Sequence, residues 1–102
     1  MLELRPSCEH CEKSLPPEST EARICSFECT FCQDCVTHVL NNVCPNCGGG
    51  FQIRPVRPQG NHRNNNNLEH YPPGTRAVFK PVKPETFEPL RAKLQHIPPE
   101  LR

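Results

Sequence analysis

A small, metal-stabilised α+β fold with two four-cysteine sites, one short helix and a proline-rich basic tail is predicted by three observations. The first is cysteine spacing: Cys8-x2-Cys11-x13-Cys25-x3-Cys29-x2-Cys32-x2-Cys35-x8-Cys44-x2-Cys47. The second is a shortage of core. Apolar residues make up 34% of 102, cysteines included, and Trp is absent. So little apolar surface does not offset chain entropy without a staple. The third is an abrupt change of composition. Residues 1–50 hold three Lys/Arg against seven Asp/Glu, net −4, and residues 51–102 hold nine against four, net +5. The second half also carries nine of the 13 prolines. The chain therefore divides into an acidic cysteine-rich head, 1–53, and a basic, largely irregular tail, 54–102.

The opening "MLELRPSCEH" has no apolar run of signal-peptide length, and no later stretch is long enough to span a bilayer. A cytoplasmic location without membrane attachment follows as the expectation, and there thiols stay reduced. Eight cysteines then read as metal ligands before disulfides. A C-x2-C turn aims two thiolates at one ion, and tetrahedral Zn²⁺ takes two such pairs at Zn–S distances of ~2.3 Å. Eight thiolates suit two Zn²⁺ per chain, in closed sites that are structural rather than catalytic. Spacing alone leaves two groupings open. One is sequential, Cys8, Cys11, Cys25 and Cys29 against the last four. The other is interleaved, Cys8, Cys11, Cys32 and Cys35 against Cys25, Cys29, Cys44 and Cys47. An iron–sulfur cluster is the competing metal group, because "CTFCQDC" is C-x2-C-x2-C. The bacterial ferredoxin run continues with x3-Cys-Pro, whereas here residues 36 to 43 intervene before Cys44.

Along the head, "PPES" at 16–19 is a turn. "ARICSFECTF" is expected as a short hairpin or extended segment. "CVTHVLNNVC" is the helix candidate, since Val36, Val39, Leu40 and Val43 recur at i, i+3, i+4, i+7. Asp34 suits its N-cap, and Asn41 and Asn42 its end. After "GGG", "FQIR" is expected to add a strand. Ile24, Phe27, Phe31, Val36, Val39, Leu40, Val43 and Phe51 form the expected core. In the tail, "NHRNNNN" at 61–67 is expected as a disordered spacer. "RPVRPQG" and "VFKPVKP" favour extended polyproline conformation. A short helix is expected over 87–96, with Phe87, Leu90, Leu94 and Ile97 on one face.

The ligand order, with "CSFECTFC", "CQDC" and "CPNC" in succession and Phe31 before the fifth cysteine, resembles the RING-finger cross-brace, with cysteine at position 29 where histidine is usual. That resemblance implies a RING-like or treble-clef fold and the interleaved pairing. "MLELRP", "ARICSFECTFCQDC", "VCPNCGGGF", "RPVRP" and "YPPGTRAVFKP" together resemble a family of short bacterial proteins known as a domain of unknown function. It implies a bacterial zinc protein and carries no activity to transfer.

A structural zinc module that mediates protein–protein interaction is the functional expectation, with Leu40 and its neighbours beside Pro45 as the contact surface. Ubiquitin-ligase work is disfavoured, because Glu9 and His10 stand where RING ligases carry an apolar residue and Gly48 to Gly50 where a basic one is common. Nucleic-acid binding through the tail is the alternative, using Arg54, Arg57, Arg63 and Arg76. The head with eight thiolates and two Zn²⁺ carries about −8 and repels phosphate. An enzyme is not expected. His10 and His38 have no catalytic partner in the sequence, and Cys11 already completes the first knuckle.

Overall fold

The computed structural model describes residues 1–102. Three short strands form an antiparallel sheet in the order β2-β1-β3: β1 Ala22–Ile24, β2 Thr30–Cys32 and β3 Gln52–Ile53. Ala22 faces Cys32 and Ile24 faces Thr30 across the β1–β2 hairpin. Arg23 faces Ile53 on the other edge. The hairpin and the "FQIR" strand therefore form where the sequence places them. Strands of two or three residues do not hold by pairing alone. They are held by what flanks them: Cys25 follows β1, Cys29 precedes β2 and Cys32 ends it, while β3 runs between the buried Phe51 and Arg54.

β2 runs straight into helix α1, Gln33–His38, with Cys32 as its N-cap. Asp34 lies in the first turn rather than at the cap. The helix is shorter than the sequence pattern because Asn41 and Asn42 both take left-handed backbone, φ 48° and 60°, which asparagine tolerates well. Leu40 N–H donates to the Cys35 carbonyl at 2.8 Å and Asn42 N–H to the Val36 carbonyl at 3.0 Å. This folds the chain back so that Leu40 and Val43 both point inward.

The core gathers Leu15, Ala22, Phe31, Val36, Leu40, Val43, Phe51 and Phe87 with the buried cysteines. Phe31 and Phe51 meet edge to face, ring centroids 5.5 Å apart. Two expectations fail here. Phe27 is 70% exposed, because it sits at the tip of the hairpin turn and not on a strand. Leu40 is 0% exposed and presents no surface.

Leu40 is hidden because the tail is part of the same body. Helix α2, Pro84–Leu94, inserts Phe87 into the head's core, with Val82, Leu90 and Leu94 packed around it. The helix begins three residues before the expected 87–96, since Pro84 fits the first turn. Pro89 is consequently interior, where proline removes a helix hydrogen bond. Packing through Phe87 outweighs that cost. Residues 61–67 also depart from expectation. They form a turn rather than a disordered spacer, with Asn64 and Asn65 left-handed and Asn61 and Asn65 bonded to each other. Asn67 is buried there and accepts the His70 N–H.

Arg54 fastens the junction of head and tail. It is 1% exposed and donates to the carbonyls of Arg5, Leu15 and Pro16. Its own N–H bonds to the Ala22 carbonyl and extends the β1–β3 ladder. No helix is long and apolar enough to cross a membrane.

Truncating Phe87 to Ala is expected to destabilise the metal-loaded protein by about 3 kcal/mol, from lost burial and the cavity left behind. Urea denaturation followed by circular dichroism measures this. A change near zero is the outcome for a tail that does not dock.

Candidate metal centres

Two loops, Cys8–Lys13 and Cys44–Gly49, close with the same hydrogen bonds. In the first, Cys8 N–H donates to the Lys13 carbonyl (2.9 Å) and Glu12 N–H to the Cys8 carbonyl (3.0 Å). In the second, Cys44 N–H donates to the Gly49 carbonyl and Gly48 N–H to the Cys44 carbonyl, both 2.8 Å. The residue after the second cysteine is left-handed in each, Glu12 at φ 64° and Gly48 at φ 80°. The tight closure turns both sulfurs to one side. Backbone N–H groups point at sulfur as well: Asn46 at Cys44 (3.4 Å), Gly49 at Cys47 (3.4 Å) and Phe27 at Cys25 (3.3 Å). Such donors stabilise thiolate over thiol.

The sulfurs of Cys8, Cys11, Cys32 and Cys35 lie within 4.8 Å of one another. Those of Cys25, Cys44 and Cys47 form a second group at the same limit. The first loop therefore shares a point with the β2–α1 junction, and the second loop shares one with the start of the hairpin turn. Cys29, expected with the second group, is not drawn in to that distance. Its sulfur interacts with that of Cys25 and also accepts from the Asn46 side-chain amide at 3.4 Å. Cys11 and Cys32 sulfurs are 3.7 Å apart, close to the ~3.8 Å edge of a tetrahedron with ~2.3 Å Zn–S bonds. All eight cysteines are free of disulfides.

The donor sets fit a divalent ion on electrostatic grounds. Burial pushes the thiols of Cys32, Cys35 and Cys44 up, and neighbouring sulfurs add to the effect at Cys35 and Cys44. Burial also raises Cys29, opposed by the Asn46 amide. At Cys11 burial acts the same way, but the Lys13 backbone N–H and the sulfur of Cys8 outweigh it and the pKa falls. Several thiolates crowded into a buried space need a cation among them. Both groups are geometrically suited to hold a metal ion, and no histidine joins either.

Residues that spacing did not single out hold the first group in place. Glu9, between Cys8 and Cys11, is 2% exposed. Its carboxylate accepts the Thr30 N–H and the Arg5 guanidinium (2.8 Å), while its own N–H donates to the Thr30 carbonyl. The Glu9 carbonyl accepts the Lys80 N–H (2.8 Å), and His10 Nδ1 accepts the Val82 N–H (2.9 Å). The two residues between the first ligands thus strap the tail across the knuckle. His38 is exposed on α1. No sequence pattern marks a glutamate as a buried cross-link, whereas the Arg54 and Phe87 roles follow only from tail docking.

Residues 1–57 match the family described as "Protein of unknown function (DUF1272)". An uncharacterized protein of Rhizobium meliloti (strain 1021) is 51% identical over 81 residues, covering 79% of this chain and 89% of that protein. The chain belongs to this family. No solved structure matches it.

Within each group one cysteine is exposed, Cys11 in the first and Cys47 in the second, while Cys8 and Cys44 are fully buried. Limited iodoacetamide labelling with peptide mass spectrometry is expected to modify Cys11 and Cys47 before Cys8 and Cys44, by roughly tenfold or more. Equal labelling of the four is the result for an open head.

Proposed function

We propose that this member of the family is a structural zinc-binding module, holding two Zn²⁺, that makes contact with another protein and carries out no catalysis. Cys8, Cys11, Cys32 and Cys35 hold the first ion in this reading. Cys25, Cys44 and Cys47, with Cys29 as the fourth sulfur, hold the second. The observation that carries it is the convergence of sulfurs from separate segments onto two points, Cys8 and Cys11 with Cys32 and Cys35, Cys25 with Cys44 and Cys47. The groups interleave along the chain, as in a RING-like cross-brace. Zinc bound to such sites supplies charge neutralisation and cross-linking, on the order of 10–16 kcal/mol per site.

The surface favours a protein partner over nucleic acid. Much of the tail's positive charge is engaged internally. Arg54, Arg57 and Arg102 donate to backbone carbonyls, Arg76 pairs with Glu3 and Arg91 with Glu88. Few cations are left to form a continuous phosphate track. Leu40 is buried in the core that Phe87 of α2 joins, so the contact surface moves to the tail. A groove of about 590 Å³ there is lined by Pro45, Phe79, Val82 and Leu90, together with Lys80 and Lys83. Phe79 is 55% exposed.

Elemental analysis of protein purified without added metal is expected to give two Zn²⁺ per chain, and a strong chelator is expected to unfold it. Iron with visible absorbance, or retained structure after metal removal, overturns the zinc reading. For the contact, Phe79→Asp is expected to keep both ions and lose the partner that co-purifies from the native source. A variant that keeps every partner removes this surface.

A further inference from the structure

The groove beside Phe79 is assembled from three separate stretches of chain. Pro45 and Asn46, which stand between Cys44 and Cys47, form one wall. The segment 79–83 forms another, and Thr86, Phe87 and Leu90 of α2 complete it. Each wall is fixed by its own contacts. The second knuckle closes through the Cys44 and Gly48 N–H groups. The segment is strapped to the first knuckle, Lys80 N–H to the Glu9 carbonyl and Val82 N–H to His10 Nδ1. α2 is anchored by the buried Phe87. The groove therefore exists only while both knuckles are closed and the tail is docked.

Its charge is of one sign. Lys80 and Lys83 line it, and no carboxylate does. Both lysines are exposed. Neither pairs with a carboxylate anywhere in the fold, since the ion pairs are made by Arg5, Lys13, Arg76 and Arg91. Lys80 Nζ donates to the Asn46 amide oxygen at 3.2 Å. While other cations of the tail are engaged internally, these two flank open apolar surface with their charge unneutralised.

We propose that the groove takes a short acidic segment of a partner protein, with an apolar side chain packed between Phe79 and Leu90 and flanking Asp or Glu carboxylates on Lys80 and Lys83. This rests on the protein-contact reading above and names the chemistry of the partner. A volume of about 590 Å³ falls within the ~300–1,000 Å³ of sites that enclose short ligands. The apolar anchor supplies most of the affinity, and the lysines select which segments are accepted. A nucleic acid is the poorer fit, because strong binding draws on about six to ten phosphate contacts and the groove offers two cations. Since the walls depend on both knuckles, the segment binds the metal-loaded protein alone.

The test is selection of short random peptides displayed on phage against the full-length, zinc-loaded protein, followed by fluorescence anisotropy with the recovered sequences as labelled peptides. An apolar residue flanked by Asp or Glu is the expected consensus. Lys83→Glu is expected to weaken these peptides by about tenfold or more, because like charges then meet. Lys93→Glu makes the same charge change on α2 outside the groove, and is expected to leave binding within about twofold. Stripping the metal with a chelator is expected to abolish binding. Recovered peptides that lack carboxylates overturn this inference and leave the protein-contact reading standing. That reading fails separately, when no partner co-purifies from the native source. Equal weakening by Lys83→Glu and Lys93→Glu removes the seat at Lys83. Peptides that bind Phe79→Asp as well as the original chain remove the groove, as does the absence of any enriched peptide. Binding of a single-stranded oligonucleotide, or self-association in the ultracentrifuge, that is lost in Lys83→Glu gives the groove to that occupant instead and overturns the proposal. Binding retained after metal removal overturns its dependence on closed knuckles.

Discussion

Convergence of sulfurs from distant segments is the constraint on which the rest of the structure depends. Residues 8 and 35 are far apart in an unfolded chain, yet their sulfurs meet. Once they do, the first loop lies against the β2–α1 junction. The hairpin must then cross between the two groups, because its ends serve different ones. A three-residue strand paired to a two-residue strand has no stability of its own. It exists because its ends are placed. The same is true of α1, whose six residues are too few for a helix in isolation.

Placement by sulfur does not finish the head, and the tail completes it. Loop closure leaves Leu40, Val43 and Phe51 inside, but the apolar surface around them is larger than the head covers. Phe87 and its neighbours on α2 close it. The attachment is polar as well as apolar. Lys80 and Val82 bond to Glu9 and His10, and Arg102 bonds to the carbonyls of Asn42 and Gly48. Both knuckles are thus touched by the tail. Gly48 shows how close the approach is, since a Cβ there would lie 3.0 Å from Leu94 Cδ1. The fold is small but is not a head with an appendage.

Local features were legible in the sequence, and long-range ones were not. Cysteine spacing indicates knuckles because C-x2-C is a local geometry. The Asn41–Asn42 stop is also local, as is the β1–β2 hairpin. Leu40 was misread because periodicity identifies an apolar face without saying what covers it. The cover lies more than forty residues away, in a segment whose composition resembles a linker. Phe27 was misread in the opposite direction, since proximity to two cysteines does not imply burial at a turn. Glu9 shows a further limit. A glutamate between two metal ligands looks like solvated charge, yet its carboxylate takes the place of a backbone partner for Thr30 and pairs with Arg5.

The asymmetry of charge has its physical reading in these contacts. A tail of net +5 beside an acidic head invites a search for phosphate outside the molecule. Inside the molecule, carbonyl oxygens left over by irregular backbone need donors, and a chain so rich in proline has fewer N–H groups to offer. Arginine supplies several donors from one side chain. Arg54 gives three carbonyls their partners, Arg57 two and Arg102 three. Burial lowers the Arg54 pKa without removing its charge at neutral pH. The arginines of this tail stand in for the hydrogen-bond ladders that its prolines preclude. The basic composition and the scarcity of regular structure are two sides of one solution.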